Sequence, residues 1–109
     1  MESFQLIELL SRRAASGRAY LEFLRVPDLS AGLYVLGAGA VDDQSPHAED
    51  EVYVVIGGRA RFRASGTSQP VGPGTVLFVP AGEPHAFHDI EEELRILVAF
   101  GPAEGSRLS

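Results

Sequence analysis

Between Arg18 and Phe100 the chain is a succession of short β-prone runs, each cut by Gly, Pro or Asp before it reaches helical length. The runs are 19–26 (AYLEFLRV), 32–37 (GLYVLG), 51–56 (EVYVVI), 59–64 (RARFRA), 75–79 (TVLFV), 85–88 (HAFH) and 94–100 (LRILVAF). Short strands at this spacing predict an all-β sandwich or closed barrel. The Gly57-Gly58 pair, set between two runs, reads as a tight hairpin turn. Arg59, Arg61 and Arg63 alternate with Ala60, Phe62 and Ala64, which gives that strand one wet face. An edge strand blunted by charge accounts for the arginines more simply than recognition of an anion does. Runs 51–56 and 94–100 are apolar on both faces. One face can line a barrel interior; the other needs a cover, either the N-terminal segment or a second copy of the chain. A homodimer is therefore expected.

Residues 4–14 carry Phe4, Leu6, Ile7, Leu9 and Leu10, an apolar set compatible with one amphipathic helix, with Ser3 as its cap and Gly17 as its stop. The expected organisation is an N-terminal helix or arm over 1–17, a β-domain over 18–101 and a flexible tail over 102–109. A chain of 109 residues suits a single domain. It buries roughly two-thirds of its unfolded surface, enough for a core and one small cavity. A formal charge of −6 disfavours binding to nucleic acid. No apolar run is long enough to span a membrane, and the opening MESFQLIELL lacks the basic region of a secretory leader. With no Cys the chain has neither disulfides nor thiolate chemistry, which fits a reducing, cytoplasmic setting. All nine basic residues are Arg, so there is no Lys for a Schiff base or a phosphate loop. Chemistry must come from His, carboxylates, Tyr, Arg or a bound metal.

The three histidines are His47, His85 and His88. Around the first, Gly39 is followed by AVDDQ, Ser45-Pro46-His47, AED, Glu51 and then VYVVIG before Gly58. Around the second, Gly74 is followed by TVLFV, Pro80-Ala81-Gly82, Glu83-Pro84 and His85, with Asp89 four positions later. This pair of motifs resembles the cupin superfamily, whose first motif runs G, five residues, H-x-H, three or four residues, E, six residues, G. Its second runs G, five residues, P-x-G, two residues, H, three residues, N. The resemblance spans 39–89, almost half of the chain. It implies a small single-domain double-stranded β-helix, or jelly-roll, barrel with a short N-terminal helix.

In metal-binding cupins the two motif-one histidines, the glutamate and the later histidine hold one divalent metal. Carried over, that set gives His47, Glu51 and His85. Ser45 stands where the leading histidine belongs, and Asp89 where the final Asn belongs. Gln44, beside the vacancy, offers an amide oxygen as a weak fourth donor, and Ser45 is the other candidate. A register with His47 leading and Glu49 second is disfavoured by the spacing to Gly39 and Gly58. Two imidazoles and a carboxylate suit Fe, Zn, Mn or Ni and leave positions open for water and substrate.

Alternation from Glu51 turns Tyr53 and Val55 inward and Val52, Val54 and Ile56 outward. It likewise sets His85 and Phe87 opposite Ala86 and His88, which leaves His88 off the site. Tyr53 is a candidate proton donor or orienting group, and Phe78, Phe87 and Leu97 are expected to line an apolar cavity. The acidic stretches at Asp42-Asp43, Glu49-Asp50 and Glu91-Glu92-Glu93 read as solvated loops. The function implied is a metal-dependent, dioxygenase-like enzyme acting on a small organic molecule. The alternatives are a non-catalytic ligand-binding or sensor protein, and a metal-free sugar epimerase or isomerase with His85 as base and Tyr53 as acid.

Overall fold

A computed structural model describes residues 1–107. Helix α1 (Leu6–Ser16) precedes β1 (Tyr20–Val26), β2 (Leu29–Leu36), β3 (Asp50–Ala64), β4 (Thr67–Val71), β5 (Val76–Val79) and β6 (His85–Gly101). All pairings are antiparallel, in the order β1-β2-β6-β3-β4 with β5 also on β3. No helix among the described residues is long and apolar enough to cross a membrane.

Two long strands carry the architecture. The first half of β3 lies between β5 and the second half of β6, while its second half lies between β4 and the first half of β6. Each long strand thus serves both sheets of a jelly roll, and the ladder between them has to bend. It does so where the register slips between Val55 and Arg61. Gly57-Gly58 is therefore no hairpin turn: it is the bent middle of one continuous strand. Gly58 sits at φ 89°, and a Cβ there would run into the Glu93 carbonyl. Asp89, at φ 48°, marks the matching irregularity on β6.

Runs 59–64 and 85–88 are accordingly halves of longer strands, and β4 is an element that the pattern did not announce. Its sequence, TSQPV, is polar and contains Pro70, so it carries no β-prone run. Because β3 is paired on both sides at Arg61 and Arg63, the arginine stripe is not an edge. Arg59 instead lies 3.4 Å from both Glu91 and Glu92, and Arg61 donates to Ser68 Oγ.

α1 begins two residues inside the expected span, after Gln5, with no side-chain cap; Ser3 plays no part. Phe4, which would have been in the first turn, packs edge-on against Phe23 at 5.0 Å instead. Gly17 ends the helix in the left-handed region (φ 70°), where glycine carries no steric cost. The helix covers the β1 and β2 side of the outer sheet surface. It leaves Val52, Val76 and Phe78 exposed on the β3 and β5 side. Phe78 and Leu97 thus face outward and do not line a cavity, whereas Phe87 is 1% exposed and packs on Phe62 and Tyr53 inside the barrel.

The expected frayed tail does not describe residues 102–107. Ala103 is 2% exposed, and the backbone N–H groups of Ala103, Glu104, Gly105 and Arg107 are all bonded to the barrel. Glu49, read as a solvated loop residue, supplies two of those acceptors from a buried carboxylate. Leu108 and Ser109, the rest of the expected tail, lie outside the described residues.

Candidate functional site

The loop between β2 and β3 and the turn before β6 bring the two motifs together. Gly82 N–H donates to the His47 carbonyl at 2.7 Å, and Ala81 N–H to Asp50 Oδ1 at 2.9 Å. Alternation along β3 turns Glu51 and Tyr53 into the barrel, where both are at most 2% exposed. His85, the first residue of β6, faces them from the neighbouring strand. His88 points out of the barrel to Ser68 Oγ (3.0 Å) and Asp89 Oδ2 (2.9 Å).

The hydrogen bonds fix which atoms face the interior. His85 Nδ1–H donates to the Glu83 carbonyl at 2.8 Å, which leaves Nε2 inward, 2.9 Å from the Tyr53 hydroxyl. His47 Nδ1 lies 3.5 Å from Glu104 Oε2, and its Nε2 is 3.1 Å from Gln44 Oε1. Gln44 is oriented in turn, because its amide N–H donates to Asp42 Oδ2 at 3.0 Å and so turns the carbonyl oxygen toward His47 and Tyr53. Asp42 is 8% exposed and also accepts from the Tyr34 hydroxyl and the Phe87 amide. It is a buried organiser of the site, not the solvated loop residue expected from its acidic neighbourhood. Ser45 is exposed and lines no part of this chamber, whereas Gln44 does.

Glu51 Oε1 is the conspicuous atom. It is buried without a hydrogen-bond partner, although His85 Nε2 is only 3.2 Å away, because that nitrogen is engaged with Tyr53. His85 Nε2, with its Nδ1–H tied to the Glu83 carbonyl, the carboxylate oxygen of Glu51 without a hydrogen-bond partner, and His47 Nε2, once it gives up the proton it donates to Gln44 Oε1, make a donor set chemically suited to a divalent cation. The donors are not gathered around one centre: the His47 and His85 ring centroids are 6.2 Å apart. Among the described residues no group of three or more His, Cys, Asp or Glu is close enough to hold a metal as it stands. A bound ion would require His47 to swing inward from Phe100, against which it packs edge-on at 4.8 Å.

The electrostatics follow from the same contacts. Burial favours the neutral His85 ring, but the Glu51 carboxylate and the Glu83 carbonyl outweigh it and raise its pKa. Burial, reinforced by Glu51, holds the Tyr53 hydroxyl protonated far above the usual tyrosine range. Burial also raises Glu104, against the opposing pull of His47.

The chamber is about 160 Å³ and is lined by Gln44, His47, Glu51 and Tyr53 together with Tyr20, Tyr34, Val98, Phe100 and Glu104. Sequence reasoning missed Tyr20, Tyr34 and Glu104. One signal was available for Tyr20, since a glycine inside a strand often marks a close approach. Gly32 is that glycine: a Cβ there would occupy the place of the Tyr20 ring.

The Cupin domain family matches residues 32–100. An uncharacterised protein of Streptomyces coelicolor (strain ATCC BAA-471 / A3(2) / M145) is 51% identical over 104 residues, covering 95% of this chain and 99% of that protein. Among solved structures, KdgF from Halomonas sp. superposes with a TM-score of 0.72 at 22% identity, covering 82% of each chain. The DMSP lyase DddQ from Ruegeria pomeroyi DSS-3 superposes at 0.68 and 24% identity over 81% of this chain, which spans about half (49%) of the lyase. The Schizosaccharomyces pombe Cnp3 cupin domain gives 0.69 at 16% identity, covering 76% of this chain and 59% of that one.

Proposed function

This chain belongs to the cupin family, and from that membership we propose that it is a metal-dependent enzyme acting on a small organic molecule. His47, Glu51 and His85 hold one divalent ion, with Gln44 as fourth donor in place of the histidine that Ser45 replaces. The observation that carries this reading is the buried Glu51 Oε1, which has no hydrogen-bond partner and lies 3.2 Å from the inward Nε2 of His85, a ring whose Nδ1 is tied to the Glu83 carbonyl. Bound there, an Fe, Zn, Mn or Ni ion supplies a Lewis-acid centre with open positions, and iron would add dioxygenase-type oxygen chemistry. The chain's own residues do the rest. Tyr53 holds a proton at its hydroxyl, 2.9 Å from His85 Nε2. Asp42 fixes Gln44, while Val98 and Phe100 keep one wall of the chamber dry. A cytoplasmic location and pairing of two copies through the exposed outer face of β3 and β5 complete the reading.

The test is elemental analysis of untagged protein purified without chelator, for wild type and His85→Ala. Near-stoichiometric metal in the wild type, lost in the variant, is the expected result, and iron would lead directly to an oxygen-uptake screen. Absence of metal even after reconstitution with excess divalent ions would overturn the metal reading. It would leave a second one that the Tyr53–His85 contact at 2.9 Å favours. There the chamber works without metal, binding a ligand or passing a proton between His85 and Tyr53.

A further inference from the structure

The chamber's far end is built by a segment that the family's motifs do not include. Residues 102–107 cross the barrel as a strap. Ala103 N–H donates to the Pro27 carbonyl, Glu104 N–H to Ser30 Oγ, and Gly105 and Arg107 N–H to the two oxygens of Glu49. Arg25 fastens the strap again through the Glu104 carbonyl at 2.8 Å. Thus fixed, it delivers the Glu104 side chain to the chamber wall beside His47. The Tyr20 ring, another wall of the chamber, lies on the bare Gly32 backbone, and its buried hydroxyl has no hydrogen-bond partner. A buried hydroxyl without a partner is costly, so this one calls for an acceptor.

We propose that the ligand of this chamber is a neutral hydroxylated aromatic molecule of about benzene size, a simple phenol, and that Tyr20 and Glu104 select it. The proposal rests on the reading of the barrel interior as the ligand site. Three features carry it. The volume, about 160 Å³, is close to that of cavities of roughly 150 Å³ that accept benzene. The walls are ring-rich: Tyr20, Tyr34, Tyr53 and Phe100 present faces and edges for offset or edge-on packing. The polar inventory is acidic, with Glu51 and Glu104 lining the chamber and no arginine among the lining residues. In the metal-free chamber a carboxylate or phosphate ligand would be buried against like charge, with His47 the one basic side chain among the lining residues. A hydroxyl group donates to a carboxylate and accepts from Tyr20, which satisfies both ends. A metal held by Glu51 would itself attract an anion, so the selection against charge is read in the chelator-treated protein.

The experiment is an NMR-monitored titration of the full chain with resorcinol, benzoate and glycerol, in chelator-treated and in zinc-loaded protein. The first two probes share a ring and differ in charge; the third has hydroxyls and no ring. Resorcinol is expected to bind with shifts centred on Val98 and Phe100, and benzoate at least about ten-fold more weakly. Tyr20→Phe, which keeps the ring on Gly32, is expected to weaken resorcinol about three- to ten-fold, the worth of one hydrogen bond, with a melting temperature no lower than that of wild type. Glu104→Gln is expected to narrow the gap between resorcinol and benzoate. Benzoate or glycerol binding chelator-treated protein as tightly as resorcinol, or a Tyr20→Phe variant that binds resorcinol unchanged, overturns the proposal. Zinc uptake with no ring bound also overturns it and leaves the metal site standing. Resorcinol binding without zinc uptake upholds it and removes the metal.

Discussion

Single side chains hold this site in place through the atoms that they turn away from it. Asp42 accepts from Tyr34, Gln44 and Phe87, so one buried carboxylate ties β2, the motif-one loop and β6 together and aims the Gln44 oxygen inward. The tyrosines report on the same interior. Burial is the main cause that raises each of Tyr20, Tyr34 and Tyr53 above the ordinary range, with nearby carboxylates adding to it. A raised folded-state pKa means that the native chain keeps protons the unfolded chain has released. This contribution to stability is complete below about pH 10, the unfolded value, and is lost as pH rises toward the folded values. The chain has three tyrosines and no tryptophan, so tyrosinate absorbance is read without interference. The expected alkaline titration shows no tyrosinate at about pH 10, where a free tyrosine is half ionised, and then a cooperative appearance on unfolding. Gradual ionisation around that pH in protein still folded by circular dichroism would show that the hydroxyls are not sequestered.

The elements that matter most are β3 and β6, because each bends to serve both sheets. The bend depends on Gly58, whose positive φ and contact with the Glu93 backbone leave no room for a side chain. Gly58→Ala is expected to destabilise the fold by about 2–4 kcal/mol, from left-handed strain plus overpacking against rigid backbone. Gly37→Ala is the control: a Cβ there meets nothing within 4 Å. It should stay within about 0.5 kcal/mol of wild type. Urea unfolding measures both, and equal stabilities would mean that β3 turns by other means. The strap is the other element with a consequence. Glu49, 2% exposed, spends its carboxylate on the Gly105 and Arg107 amides, so a residue that does not itself line the chamber secures Glu104 within it.

For the whole molecule the open question is what covers the outer face. Val76 and Phe78 are 63% and 64% exposed, and pair in register with Val54 and Val52. They thus form one apolar surface across adjacent strands and not scattered residues. The proposed pairing puts a second copy on that surface, as an isologous contact in which the same patch meets itself. Light scattering is expected to give the dimer mass for wild type and the monomer mass for a Val76→Asp, Phe78→Asp double variant. A wild-type monomer at high concentration would rule the pairing out.

The sequence by itself determined the β-rich class, the barrel family and the inward alternation of Glu51 and Tyr53. These depend on period-two patterning and on glycines and prolines at fixed spacings, which are local properties of the chain. It did not reveal that 51–56 with 59–64, and 85–88 with 94–100, are single strands. Gly57-Gly58 has the same composition in a hairpin as in a bend, and only pairing to β6 on one side and to β4 and β5 on the other decides between them. The polar strand β4 was hidden because its partners, not its own residues, make it a strand. Tertiary structure alone placed Tyr34 and Glu104 in the chamber, identified Tyr20 as the ring that Gly32 makes room for, and turned Asp42 and Glu49 from apparent loop charges into buried acceptors. Residues 102–107 look like a tail along the sequence, but the acceptors that hold their amides lie more than fifty positions away. Contacts at that separation leave no periodic or spacing signal, so they become visible only once the chain has folded.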